Sequence, residues 1–411
     1  MRREFELSLG DDLAHMVEYG YPPATGPSRR LPVDVYTSPE RHRRELAAFA
    51  ARPAAAVHAS EIPDPGDFVT AQLGATPVIV TRNRDGTINA LVNVCAHRGA
   101  TVEHRPSGSQ RVLSCDFHGW SYDLDGSLRS VTDERLFATE RCERGLRRLA
   151  CEERHGIVWV TVDPPDSSSP SAVPMTVREW LGDELDDVFG WLELDAMTMH
   201  ATKDIDVACN WKMLTDGFLE LYHLKFLHRN SIAPYFPSNL IVTILYGDHL
   251  ATVLPKNRLI RHIAEQQRDE WQILEHLAMP FVLMPGTVVQ WQAGHVELFS
   301  FRPHPSDPTR TLCRLSLLVP PHQASDTALC DRNWERVGDT IPGEDFVVAE
   351  QVQANIDSRA FTELQIGHSE RFLLEHLAAV DRLVAATTPE ATRDDDAVVI
   401  EPPALRTAAE I

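Results

Sequence analysis

Two groups of residues in this chain have types and spacings suited to inorganic chemistry. The first runs from Asp216 to His228 and reads DGFLELYHLKFLH. On one continuous helix, Asp216, Glu220 and His223 share a face, because residues three and four apart are stacked. His228, five past His223, lies about 140° away on an ideal helix and joins them only if the helix ends or bends there. Polar side chains set among Phe218, Leu219, Leu221, Leu224, Phe226 and Leu227 must be solvated, paired or holding a metal. The second group is Cys95-Ala-His97-Arg98 followed, after seventeen intervening residues, by Cys115-Asp-Phe-His118-Gly119-Trp120. Two such pairs at the ends of neighbouring β-loops can place two thiolates and two imidazoles around one small inorganic centre.

A zinc site is the competing reading of the second group. Zinc fingers, however, keep like ligands together, Cys with Cys and His with His, whereas each pair here mixes one of each. Thiolates stabilise ferric iron, and neutral imidazoles leave a second iron less negative and raise its potential. The order C-x-H, then C-x-x-H with its HGW extension, therefore points to a Rieske-type [2Fe-2S] cluster. Gly99 and Gly119, just after the ligands, suit loops that approach a cluster closely.

With both groups in view, the chain resembles the catalytic α subunit of the Rieske non-haem iron oxygenases, over roughly residues 34 to 385. The family includes aromatic-ring-hydroxylating dioxygenases and Rieske monooxygenases. It commonly carries an Asn-Trp-Lys before its iron-binding helix, and Asn210-Trp211-Lys212 stands there. The resemblance implies an α+β fold: an N-terminal all-β Rieske domain and a C-terminal helix-grip domain, in which an antiparallel sheet wraps a long helix. It also implies that Cys95 and Cys115 hold one iron of the cluster and His97 and His118 the other.

Two histidines do not suffice for oxygen activation. Fe(II) needs a third, anionic ligand, with the opposite face left open. Gly343-Glu344-Asp345-Phe-Val-Val-Ala-Glu350 offers carboxylates; a helix-start carboxylate favoured by the dipole is the plain alternative for Asp345. The family's ligand is an Asp in an acidic pair, followed by four residues and a Glu. This matches Asp345 more closely than Glu344, so the resemblance implies mononuclear Fe(II) on His223, His228 and Asp345. It makes Glu220 a bridge between His223 and the partner subunit's His118, fixing both rings and shortening the path of an electron. Most dihydroxylating members have Asp there; Glu resembles the branch of homotrimeric monooxygenases and demethylases that includes those acting on quaternary ammonium compounds. Asp216 stands where many relatives have Asn near the iron. Its negative charge there would raise a neighbour's pKa or favour a cationic substrate.

The activity so implied is that of a terminal oxygenase. It takes electrons singly from a separate NAD(P)H-dependent reductase or ferredoxin and uses O2 to hydroxylate or oxidatively demethylate a small organic substrate. Aromatic cis-dihydroxylation is the alternative within the family. An electron-transfer or ligand-binding protein without mononuclear iron is the alternative from another class. No glycine-rich nucleotide fingerprint is visible, so nicotinamide oxidation belongs on another protein. Head-to-tail packing closed into a homotrimer is implied as well, with a companion β subunit left open.

These side chains need elements to position them. Residues 1–35 read as a Pro- and Gly-rich arm over the surface. Ser38 can cap a helix begun by Pro39, with Leu46, Phe49 and Ala50 as its apolar stripe. Short runs bounded by turns (Thr76 to Thr81, Ile88 to Val94, Gly156 to Val162) read as strands, placing the Rieske domain at 36–165. Asp163 to Pro174 is a polar linker. The catalytic domain spans 166–386, with strand-like runs after His228 and an amphipathic helix from Ser369 to Ala386. Residues 387–411 read as a disordered tail. Phe218, Leu219, Val282, Met284, Val289, Trp291, Phe299, Phe346 and Ile356 are candidates for a mainly apolar substrate pocket. His200, His249, His262, His295, His304 and His376 lack a partner at ligand spacing and read as structural or exposed.

At 411 residues the chain is too long for one core. Its net charge of −21 excludes a phosphate-binding face and hence nucleic acid. The seven scattered cysteines do not form a disulfide framework, no run is long enough to span a membrane, and the charged N-terminus is no signal sequence. A cytoplasmic protein is expected.

Overall fold

The computed structural model describes residues 3–19, 28–137, 144–163, 175–237 and 240–387. All of the expected tail but Thr387 and almost all of the expected linker lie outside them, as does Cys142. The chain divides into two compact units. One comprises residues 46–180 and 193–199, the other residues 1–45, 181–192 and 200–411.

The first unit is built on a seven-stranded antiparallel sheet. Its order is Ala54–His58, Ile157–Thr161, Arg148–Arg154, Ile88–Val92, Thr76–Arg82, Asp67–Leu73, Ser107–Ser109. Because successive strand residues point to opposite faces, Val78 and Val80 join one core with Val57, Val69 and Val158. Ile79 and Leu91 join a second with Phe68, Cys95, Cys115, Trp120 and Tyr122. A small sheet of Leu113–Ser114, Ser121–Tyr122 and Leu128–Ser130 carries the second Cys-His loop. Both faces being covered explains why Thr76–Arg82 reads as an unbroken apolar run instead of an alternation.

The second unit also has a seven-stranded antiparallel sheet. Its order is Thr198–Val207, Thr311–Val319, Val296–Pro303, Thr287–Trp291, Leu277–Leu283, His249–Pro255, Val242–Tyr246. Helix Arg371–Thr387 buries Phe372, Leu373, Leu377, Val380 and Leu383, spaced as an apolar stripe requires. This sheet and helix are the helix-grip arrangement. The segment Val177 to Phe189 forms two helices, Val177–Leu181 and Asp183–Leu192, broken at Gly182, whose φ of +77° suits glycine.

The N-terminal residues differ from the expected surface arm. Arg3–Tyr19 is a helix with Leu9 and Leu13 fully buried. Gly10 packs so closely on Trp271 that a Cβ would lie 2.7 Å from the ring. Arg29–Pro32 pairs with Glu363–Ile366. The expected domain edge at residue 36 also moves, and the reason is one side chain. Helix Pro39–Ala50 carries Glu45, which accepts from Lys212 Nζ at 2.7 and 2.8 Å and from Trp211 Nε1 at 2.9 Å. The anchor of the iron-site helix thus lies far up the chain.

Candidate metal centres

The two Cys-His loops are built alike. In each, the cysteine N–H donates to the carbonyl five residues on, Cys95 to Ala100 at 2.7 Å and Cys115 to Trp120 at 2.8 Å. In each, a glycine four residues after the cysteine donates back to its carbonyl at 3.0 Å. Gly99 and Gly119 do so at φ of +76° and +74°, a conformation that disfavours side chains. The imidazoles of His97 and His118 come to 4.6 Å between ring centres, and Trp120 stacks on His97 at 4.8 Å. Cys95 and Cys115 are buried and free of disulfides. Tyr122 Oη lies 3.1 Å from Cys95 Sγ and accepts from Ala96 N–H. Burial, and then the neighbouring Cys95, push the Cys115 thiol and the Tyr122 phenol up from their ordinary values. Desolvation and the adjacent His118 lower His97. His97 Nδ1 is buried with no hydrogen-bond partner. Two buried cysteines free of disulfides, beside an orphaned imidazole nitrogen, fit a cluster that takes thiolates and neutral imidazoles.

The second centre departs from a continuous helix. Asn210 caps helix Trp211–Asp216 by accepting from Lys212 N–H at 3.1 Å, and its side-chain amide donates to the carbonyls of Tyr36 and Pro308. That helix ends at Asp216. Gly217 to Tyr222 are turn and irregular backbone, and a short helix, Leu224–Leu227, runs between His223 and His228. The expected single face of Asp216, Glu220 and His223 therefore does not exist. The break is what lets His228 converge on His223, with ring centres 5.1 Å apart. Asp345 arrives at the end of a π-helical turn, Ile341–Asp345, a kind of irregularity that often marks functional sites. One donor atom from each of His223, His228 and Asp345 lies within 4.8 Å of the others.

The outward nitrogens decide what the inward ones can do. His223 Nδ1 donates to Glu220 Oε1, and Glu220 Oε2 also accepts from the His223 and Tyr222 N–H groups. His228 Nδ1 donates to Glu344 Oε2 at 2.5 Å, which also accepts from Ser231 Oγ at 2.7 Å. Both protons being placed outward, the Nε2 atoms turn to Asp345 Oδ1, at 3.5 Å for His223 and 3.2 Å for His228. Asp345 Oδ2 is buried without a partner. Burial lowers His228, but Asp345 and then Glu344 outweigh it, so its pKa rises. Glu344 is held below the usual range by His228 and Ser231, against its own desolvation. Two imidazole nitrogens, one carboxylate and an orphaned oxygen suit a 2-His-1-carboxylate metal. The sequence did not reveal Glu344 as His228's partner; its adjacency to Asp345 was the only signal.

Asp216 lines the cavity beside this centre, yet both its oxygens are taken. Oδ2 accepts from Tyr36 Oη at 2.8 Å, and Oδ1 lies 3.3 Å from His376 Nδ1. Of the expected wall residues, Phe218 and Phe346 line this cavity of about 610 Å³. Leu219, Val282, Met284, Val289, Trp291, Phe299 and Ile356 do not. On strand Thr287–Trp291 the face is shifted by one: Gln290 looks inward, and Trp291 packs on Trp191. The wall is more polar than expected, with Lys256, Gln292, His295 and Glu297 contributing.

Two family models match stretches of this chain. Residues 53–139 match the Rieske [2Fe-2S] domain family, and residues 194–386 match the family described as ring hydroxylating alpha subunit (catalytic domain). The chain belongs to the Rieske oxygenase α subunits. It is 33% identical over 290 residues to the anthranilate 1,2-dioxygenase large subunit of Acinetobacter baylyi, covering 67% of this chain and 55% of that one. It is 33% identical over 184 residues to the methanesulfonate monooxygenase hydroxylase subunit alpha of Methylosulfonomonas methylovora, covering 42% of each. The chain spans about half the length of these relatives. Among solved structures, the quaternary ammonium Rieske monooxygenase CntA aligns with a TM-score of 0.69 at 20% identity, over 87% of this chain and 94% of the other. Naphthalene 1,2-dioxygenase with bound indole gives 0.69 and 20%, over 87% and 92%. The cofactors of this family are a Rieske [2Fe-2S] cluster and mononuclear iron. Among the described residues, no helix is long and apolar enough to cross a membrane.

Proposed function

We propose that this chain is a terminal oxygenase component, hydroxylating or oxidatively demethylating a small organic substrate with O2. The observation that carries the reading is the trio His223, His228 and Asp345, with both outward nitrogens bonded and Asp345 Oδ2 left without a partner. A pure binding or electron-transfer protein has no use for a donor set so oriented. Cys95, His97, Cys115 and His118 hold the cluster, and His223, His228 and Asp345 hold the iron. Bound there, the two centres supply electron storage and dioxygen activation.

The protein's own groups do the rest. Glu220 and Glu344 hold the Nδ1 protons and so keep each ring in the tautomer that offers Nε2. Phe218 and Phe346 give the cavity a dry wall. In this reading Glu220, which already holds His223 Nδ1, also faces the partner subunit's His118 in a head-to-tail homotrimer. Electrons come from a separate NAD(P)H-dependent reductase or a ferredoxin. The setting is cytoplasmic, in keeping with the free cysteines of the described residues.

Iron and acid-labile sulfide per chain test the reading. About three irons with two sulfides are expected, falling to about two irons with sulfide intact in the His223→Ala, His228→Ala double variant. Two irons in both proteins after anaerobic Fe(II) loading would replace the oxygenase with an electron-transfer protein.

A further inference from the structure

The cavity changes character along its sheet wall. On strand Val296–Pro303 alternate residues share a face, about 7 Å per step. Phe299 meets Phe218 at the end near the iron ligands, with ring centres 5.2 Å apart. Glu297 comes next along that face, and His295 lies a step beyond, near the start of the strand. Gln290 pairs with Glu297 across the sheet, and Asn333 Nδ2 lies 3.4 Å from His295 Nδ1. The end away from the iron ligands is therefore polar.

Two groups at that end have hydrogen-bonding capacity that the protein leaves unfilled. Glu297 is 3% exposed; its Oε1 accepts from His295 Nε2 at 3.0 Å, while Oε2 is buried with no donor. A buried carboxylate oxygen left unpaired is costly. Lys256 Nζ donates to the Gln292 carbonyl at 3.3 Å and, among the described residues, has no carboxylate at ion-pair distance. Burial and then Arg258 push its pKa down to about 8 against the opposing charge of Glu297, so at neutral pH it remains a cation. In a chain with net charge −21, the lining of this cavity includes Lys256, Arg258 and Arg336.

We infer that the substrate is a small hydroxy or amino carboxylic acid, with its carboxylate on Lys256, its O–H or N–H on Glu297 Oε2, and its apolar body toward Phe218. This rests on the oxygenase reading and narrows it. A neutral hydrocarbon supplies neither missing partner. A plain carboxylic acid satisfies Lys256 but leaves Glu297 Oε2 without a donor. An acid with an adjacent O–H or N–H satisfies both.

The test is equilibrium binding to iron-loaded protein, with O2 uptake and product formation measured alongside. The probes are 2-hydroxybenzoate, benzoate and phenol, and the straight-chain set 2-hydroxyhexanoate, hexanoate and 2-hexanol. The hydroxy acid of at least one set binds tightest and yields oxygenated product. Lys256→Met weakens both acids by about tenfold or more and leaves the alcohol unchanged. Glu297→Gln weakens the hydroxy acid but not the plain acid. Phenol or 2-hexanol binding as tightly as the hydroxy acids overturns the inference while leaving the oxygenase intact, as does binding by none of the six or affinities unmoved by either variant. Failure of the underlying reading shows separately, as a preparation that holds no iron on His223, His228 and Asp345.

Discussion

The two metal centres of this chain are assembled in opposite ways. The Cys-His centre uses two copies of one short loop, each closed by the same pair of backbone hydrogen bonds and the same left-handed glycine. The backbone bonds that close each loop lie within six residues of its ligands, and Trp120 and Tyr122 beside the second loop reach His97 and Cys95 of the first. The His-His-Asp centre uses a helix that stops, a turn that doubles back and a π-helical turn. Its own orienting contact, His228 to Glu344, spans 116 residues. A local centre can be read from spacing, whereas a centre assembled across the fold depends on how the surrounding unit packs.

The largest expected effect separates the two centres outright. Cys115→Ser removes a thiolate that its loop cannot replace, so the protein loses labile sulfide and its visible colour while still retaining iron on His223, His228 and Asp345. The reciprocal double variant at His223 and His228 keeps the sulfide. Loss of both metals in either protein would show the centres to be assembled interdependently, against the comparison drawn here.

Next in size is the anchor of the distant centre. Glu45 receives Lys212, Trp211 and Arg41, the last at 2.8 Å, in a fully buried setting. Burial opposes its charge, but Lys212 and Arg41 overcome this and hold its carboxyl below the ordinary value. Glu45→Ala leaves Lys212 buried without its carboxylate, at a cost of about 3–5 kcal/mol by denaturant unfolding. A group depressed in the folded state contributes stability above its unfolded value, lost as pH falls through its folded one. Wild-type stability should therefore decline as pH drops below 4.5, the ordinary glutamate value, and more steeply than that of the variant. Equal slopes would remove Glu45 as the acid-sensitive anchor.

What was legible in the sequence follows the same division. The Cys-His pairs, the Rieske strands and the trio His223, His228 and Asp345 that the structure brings together could be named from residue type and spacing, the last with help from the resemblance. The continuous iron-site helix was misread because apolar periodicity from Phe218 to Leu227 does not show that Asp216 ends one helix and His223 opens another. The N-terminal arm was misread because its packing depends on Trp271 and on strand Glu363–Ile366, distant in the chain. The polar cavity wall was missed for a strand-face reason: moving one residue along Thr287–Trp291 exchanges Trp291 for Gln290.

A smaller change sharpens the point about long-range orientation. Glu344→Ala removes the acceptor for His228 Nδ1 and Ser231 Oγ but no iron ligand. Iron affinity should fall about 10–100-fold, with cluster content unchanged. The measurement is competitive Fe(II) binding against a chelator. Glu344→Gln, which retains an acceptor oxygen, should recover part of the loss. An alanine variant with wild-type affinity would mean that Asp345 alone positions the site.

The smallest expected effect concerns Asp216, whose charge the sequence made a candidate for attracting a cationic substrate. In the structure that charge has other work. Tyr36 Oη donates to it at 2.8 Å, His376 Nδ1 lies at 3.3 Å, and burial together with the nearby carboxylate holds the Tyr36 phenol well above its usual range. A carboxylate with both oxygens engaged presents little unneutralised charge to a ligand, and the cavity has other charged groups, Lys256 and Glu297, with hydrogen-bonding capacity to spare. Asp216→Asn keeps an oxygen for Tyr36 and loses a charge-assisted hydrogen bond, costing about 1–2 kcal/mol of stability. Substrate Kd should move by less than about twofold, since 0.4 kcal/mol is roughly that factor. A large rise in Kd with unfolding stability unchanged would return Asp216 to the substrate and take it out of the Tyr36 and His376 network. The opposite pattern, lost stability at constant affinity, would make it part of the scaffold that sets the iron-site helix.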